Sequence, residues 1–201
     1  MKKTKYIVLA VLSGLIISIA IIYFLNKNKN KLNKTQSGNL FAGSLVNGRS
    51  IIIGDSQTPF ITRQSQKIKM LGSVGGENVL WKGGMGLSWL KGAVSKYPIT
   101  TDVSNVVINI GTNGGFNANE NVSGLMNELK RVFPNADFYA VKGSWGWGGN
   151  KNKTVSQVDN YYNKFKNEGV VVLKTAIGSV SDPHGNLPIY KLIGKEIDDT
   201  L

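Results

Sequence analysis

Beyond residue 50 the chain alternates between short apolar runs and longer mixed segments of helical character. The runs lie at 51–53, 78–81, 106–110, 138–141 and 170–173, and they are rich in Ile and Val. Their hydrophobicity is continuous rather than alternating, which predicts strands covered on both faces, as in a parallel sheet. The segments between them carry helix signals. "TVSQ" at 154–157 is a capping-box pattern, Asn117 and Glu120 form a similar pair, and Pro134 follows "LMNELKRVF" as a stop. Five strands separated by helices predict a three-layer α/β/α domain over 50–201, built on a central five-stranded parallel sheet. Functional groups in such sheets gather at the carboxyl ends of the strands.

The first fifty residues follow a different pattern. "YIVLAVLSGLIISIAIIYFL" at 6–25 has no charged residue and would extend about 30 Å as a helix, enough to cross a bilayer's hydrocarbon core. Tyr6, Tyr23 and the flanking lysines suit the two interfaces. A cleaved signal peptide has a shorter apolar region, about 7–15 residues, and a small-residue cleavage site. Here "NKNKNKLNK" follows instead, and the expectation is a single transmembrane helix within an anchor at 1–25. Residues 26–49, rich in Lys, Asn, Gly and Ser, read as a basic flexible tether. The lipid membrane is thus one expected partner, with the domain at 50–201 on the exported side, in a cell envelope or a viral membrane.

Charge supports that division. The net charge is +12, but residues 1–40 hold seven of the 24 basic residues and no acids, which leaves 17 basic against 12 acidic residues beyond them. Lysines bracketing an apolar span suit anionic headgroups better than a nucleic-acid groove, and no specific nucleic-acid partner is expected. Cysteine is absent and histidine occurs once. These counts exclude disulfides and a cysteine nucleophile and disfavour a zinc site. No glycine-rich phosphate fingerprint stands in its required context. Neither a metal nor another cofactor is expected.

The candidate chemistry lies at the ends of the apolar runs. "IIIGDSQTPF" at 51–60 puts Ser56 just past the first run, where a serine either caps a helix or acts as a nucleophile. "KGGMGLSW" follows the second run, with Gly83, Gly84 and Gly86 able to bring backbone N–H groups close to a ligand. "GTNGG" places Asn113 after the third. "SVSDPHG" near the end contains Asp182 and His184, the sole histidine.

In the order and spacing of these blocks the chain resembles the SGNH, or GDSL-type, serine hydrolases over essentially all of 50–201. The resemblance implies a flavodoxin-like domain in which Ser56 is the nucleophile and His184 the base. It assigns the oxyanion donors to the backbone N–H groups of Ser56 and Gly86 and to the Asn113 side chain. Two positions depart from the family's pattern. Asp182 stands two residues before His184 where the family usually has three, and Gly114 follows Asn113 where the family commonly has Asp. A serine-histidine dyad and a degenerate site both fit these departures. Asp55 reads as structural, through hydrogen bonds to loop amides.

Trp145 and Trp147 stand among glycines in "KGSWGWGGNK" at 142–151. They would either contact substrate or cover the end of the core. The expected activity is hydrolysis or transfer of an acyl group, such as acetyl, on a carbohydrate or small ester. The alternative is a catalytically degenerate structural or binding protein on the same fold.

Overall fold

The structure, a computed structural model, describes residues 48–71, 79–175, 184–185 and 187–201. The expected span at 6–25, nearly all of the tether and Asp182 lie outside the described residues. Among the described residues no helix is long and apolar enough to cross a membrane.

Five parallel strands form one sheet in the order β2-β1-β3-β4-β5. They are β1 (Arg49–Gly54), β2 (Ile68–Met70), β3 (Val103–Asn109), β4 (Asp137–Ala140) and β5 (Val171–Val172). The helices are α1 (Thr58–Thr62), α2 (Leu87–Ser95), α3 (Val122–Val132), α4 (Val155–Asn167) and α5 (Leu187–Thr200). Side chains alternate across a strand, so the apolar runs feed two separate cores. Ile51, Ile53, Val106 and Ile108 pack with α2, α3 and α4 on one face. Ile52 and Val107 pack with Ile61 of α1 and with Ile189, Tyr190, Ile193 and Ile197 of α5 on the other. These are the expected three layers, with the central strands buried on both sides.

Two local expectations are corrected. The run at 78–81 does not supply the sheet's second strand: Trp81 makes one isolated bridge, to Gly54. The strand beside β1 is Ile68–Met70, pairing with Ser50, Ile51 and Ile52. Trp81 joins the same edge of β1 past the point where β2 stops, so its apolar neighbours are buried without a ladder. The Asn117 and Glu120 pair does not start a helix either. Asn117 closes a turn by accepting the Asn119 N–H at 2.9 Å, and α3 begins five residues after Asn117, capped by Asn121, whose Oδ1 accepts the Gly124 N–H at 2.8 Å. The capping box at Thr154 and Gln157 forms as read, and α3 ends at Val132, before Pro134.

The strand order reverses its direction of growth between β1 and β3, which opens a crevice at their carboxyl ends. Gly54 and Asn109 are partners in register there. The loops carrying Ser56 and Asn113 therefore leave the sheet side by side.

Candidate active site

The turn after β1 is held by a buried polar cluster. Gly54 has φ +146°, and a Cβ on it would sit 1.8 Å from the Asn109 carbonyl oxygen, so the two strand ends approach more closely than a side chain allows. The Asp55 N–H donates to that carbonyl at 3.0 Å. Asp55 Oδ1 accepts the Gln57 N–H and Asn109 Nδ2–H, each at 3.0 Å. This is the structural role expected of Asp55.

Ser56, half-buried, stands between these anchors. The N-cap of α1 is Gln57, without a side-chain cap bond, and Pro59 occupies the first turn. The helix-capping reading of Ser56 is therefore not the one observed. Gln57 instead joins three loops. Its Nε2 donates to Thr112 Oγ1 at 3.1 Å and to the Ser144 carbonyl at 2.9 Å, and its Oε1 accepts the Ser144 N–H at 2.6 Å. Sequence reasoning missed Gln57, because nothing local marks a glutamine as fully buried.

The second block reaches Ser56 through the Trp81 bridge. The Gly54 N–H donates to the Leu80 carbonyl at 2.9 Å and the Lys82 N–H to the Gly54 carbonyl at 3.0 Å. That pairing delivers Gly83 beside the serine: a Cβ on Gly83 would lie 3.7 Å from Ser56 Cβ. Gly86, in extended conformation, is the N-cap of α2. Asn113 Nδ2 donates to the Met85 carbonyl at 3.2 Å, which ties the third block to the second next to Gly86.

His184 is half-buried. Its ring makes edge contacts with Phe60 at 5.2 Å and Trp147 at 6.0 Å between centroids. Phe60 is the middle residue of α1, and His184 shares a hollow there with Arg63, Gln64 and Tyr190. The two tryptophans differ. Trp145 is 4% exposed and packs edge-on against Phe116 within the core, whereas Trp147 is half-buried beside His184. Among the described residues no group of three or more acidic or histidine side chains could hold a metal ion.

Gly114 has a structural explanation. A Cβ there would meet Glu120 Oε1 at 2.5 Å and Glu120 Cδ at 3.1 Å, and the same Oε1 lies 3.7 Å from a Cβ placed on Gly86. A carboxylate from six residues further along the same loop thus fills the space where the family pattern has an Asp side chain. Gly114→Asp should lower stability by about 1–2 kcal/mol through crowding and like charge. The additional change Glu120→Ala should restore most of the loss, a coupling that a double-mutant cycle of urea midpoints measures.

Burial pushes the Asp55 carboxyl up to about 7, outweighing the Gln57 and Asn109 hydrogen bonds that act in the opposite direction. Above its ordinary value of 3.8, the unfolded chain has released a proton that the folded chain still holds. Stability should therefore fall as pH rises from about 4 to about 7 and level off above, by about 4 kcal/mol from this group. In Asp55→Asn that slope should disappear, making the variant the more stable protein at pH 8. Urea midpoints at pH 5 and pH 8 check both statements.

No protein-family model and no curated protein matches the sequence. Solved structures do match. A Streptococcus pneumonia protein provisionally identified as a platelet activating factor shares 14% identity at a TM-score of 0.50, over 93% of this chain and 98% of its own. A member of the lipolytic G-D-S-L family from Veillonella parvula shares 9% identity at 0.49, over 76% and 97%. A carbohydrate esterase family 2 enzyme from Corynascus thermopiles, with a carbohydrate binding domain, shares 18% at 0.47, over 76% and 65%. At these identities the likeness is one of fold.

Proposed function

We propose that the protein is a serine esterase of the SGNH, or GDSL-type, class, a reading supported by its motif blocks and by the five-stranded parallel sheet that sets them at strand ends. It would remove, or transfer, an acyl group such as acetyl on a carbohydrate or small ester. Residues 6–25 would anchor it in a membrane of a cell envelope or viral particle, with 26–49 as tether and 50–201 on the exported side. The observation that supports the catalytic reading is the meeting of three blocks at one sheet end: Ser56 leaves β1 beside Gly83, and Asn113 bonds to the Met85 carbonyl next to Gly86. His184, whose ring contacts Trp147 of the loop after β4, is proposed to complete the site.

The chemistry follows from those groups. Ser56 Oγ attacks the ester carbonyl carbon while His184 takes the hydroxyl proton. The carbonyl π pair moves onto oxygen, and the resulting oxyanion accepts hydrogen bonds from the Ser56 and Gly86 N–H groups and from Asn113 Nδ2. Asn113 would exchange its bond to Met85 for one to this oxygen. The intermediate collapses, the alcohol leaves with the proton from His184, and an acyl-serine remains. Water deprotonated by His184 then attacks the acyl carbon and releases the acid; a second alcohol in place of water gives transfer. Asp182, two residues before His184 in the sequence, is proposed to orient it.

A serine-directed phosphonate applied to the full chain, read by intact mass, tests this reading. One adduct that disappears in both Ser56→Ala and His184→Ala is the expected result. A folded protein that takes no label would instead favour the noncatalytic binding or structural protein.

A further inference from the structure

Two hollows adjoin the third block. The smaller, about 170 Å³, is lined by Thr112, Asn113, Trp147 and Asn150, and the larger, about 470 Å³, by Asn117, Lys153, Gln157 and Asn160. Both are floored by Gly115 and Gly149, which makes them one trough leading away from Asn113. Glycine is what keeps it open. An added Cβ on Gly149 meets no atom within 4 Å, and one on Gly115, at φ +63°, would stand 3.6 Å from Asn150 Oδ1. Together the hollows fall in the size range of small-ligand sites, about 300–1,000 Å³.

The lining chemistry is specific. Asn113 Nδ2 bonds the Met85 carbonyl, Asn117 Oδ1 accepts the Asn119 N–H and Gln157 Oε1 the Thr154 N–H, which leaves Asn113 Oδ1, Asn117 Nδ2, Gln157 Nε2 and the Asn160 amide to meet hydroxyl groups. Asn150 is 4% exposed, and although its Nδ2 donates to the Thr112 carbonyl at 2.6 Å, its Oδ1 accepts no hydrogen bond. Trp147 Nε1 is likewise a buried donor without an acceptor. A buried polar group without a partner is a place where a ligand group gains more than at a solvated one. The Trp147 ring stands where the trough begins, suited to the apolar face of a pyranose. A fatty acyl chain would find few apolar walls here, and one lysine is too little positive charge for a nucleic-acid backbone.

We infer that this trough binds the polyhydroxylated part of a glycan substrate. The ester carbonyl sits at Asn113 and the sugar chain runs across Gly115 and Gly149 toward Asn160. The inference rests on the esterase reading for the placement of the ester, and on the trough alone for glycan binding.

The test uses the full chain with Asn160→Ala and, separately, Gly149→Leu, which fills the trough from an open position. Two substrates are compared: O-acetylated xylohexaose, long enough to occupy the trough, and 4-nitrophenyl acetate, which is not. Removing one hydrogen-bonding group should lower kcat/KM for the oligosaccharide roughly five- to ten-fold, mainly through KM. Gly149→Leu should lower it further, and Asn160→Ala, in the hollow away from Asn113, should keep the parent's rate on 4-nitrophenyl acetate. Equal losses on the two esters in Asn160→Ala, or no loss on the oligosaccharide in either variant, would overturn the inference. If the parent hydrolyses neither ester, the esterase reading has failed and the trough is judged separately. Quenching of tryptophan fluorescence by unmodified xylohexaose, abolished by Gly149→Leu, would then support glycan binding, and no quenching would reject it.

Discussion

Replacing Ser56 with Ala is expected to reduce ester hydrolysis by roughly 10⁴-fold or more, since loss of the nucleophile removes the covalent route and leaves only oxyanion donors and binding. The fold should be untouched. Ser56 is half-buried and the helix that follows is capped at Gln57, so the variant loses no cap bond and opens no core cavity. A stability change within about 0.5 kcal/mol is expected. That separation of rate from stability is the informative part. Turnover of an acetyl ester and a urea midpoint, measured on the same preparation, would show it. An Ser56→Ala protein that still hydrolyses the ester at the parent's rate would remove the nucleophile from Ser56.

Gly54→Ala should have the largest effect on stability. The new methyl would lie 1.8 Å from the Asn109 carbonyl oxygen and 2.6 Å from its carbon, atoms of the neighbouring strand that cannot rotate aside. The φ of +146° adds backbone strain for any residue with a side chain. Overpacking costs about 1–3 kcal/mol and an unfavourable backbone region a similar amount. A loss of about 3–5 kcal/mol is therefore expected, against a total that for ordinary domains is about 5–15 kcal/mol. Separating β1 from β3 would also release the Asp55 N–H from Asn109, so phosphonate labelling should fall with stability. Gly92, within α2, is the control. A Cβ there meets nothing within 4 Å, and Gly92→Ala should stabilise by about 0.5–1 kcal/mol through helix propensity.

Legibility in the sequence tracks burial. The runs at 51–53, 106–110 and 138–141 mark β1, β3 and β4 because strands covered on both faces must be apolar throughout. β2 was hidden because Lys67 and Lys69 alternate with Ile68 and Met70, the pattern of an edge strand with one solvated side. The run at 78–81 looked equally strand-like because burial, not pairing, sets hydrophobicity, and Leu80 is buried without a ladder. In the candidate site, Ser56, Gly86 and Asn113 stand out in the sequence because each lies in a short motif after an apolar run, and the family resemblance rests on those motifs. Gln57 and Glu120 do not. Each is a polar residue outside the strands and helices, and only the fold brings Gln57 to Ser144, 87 positions away, or folds the loop after β3 so that Glu120 meets Gly114 and Gly86. Trp145 and Trp147 have nearly the same neighbours in sequence. Gly146 between them, at φ +94°, redirects the chain after Trp145 enters the core.

The strands that bound the sheet are also its shortest, three residues in β2 and two in β5, with exposed Lys69 in one and Lys174 just past the other. Open strand edges are templates on which a second chain can add. Here a foreign strand would find only a few backbone groups on either side, next to a positive charge. Many copies held close together should thus resist β-linked aggregation while folded. The hazard moves to the unfolded domain, where the uncharged stretch "VVINI" at 106–110, central and covered in the native sheet, becomes a segment able to seed it.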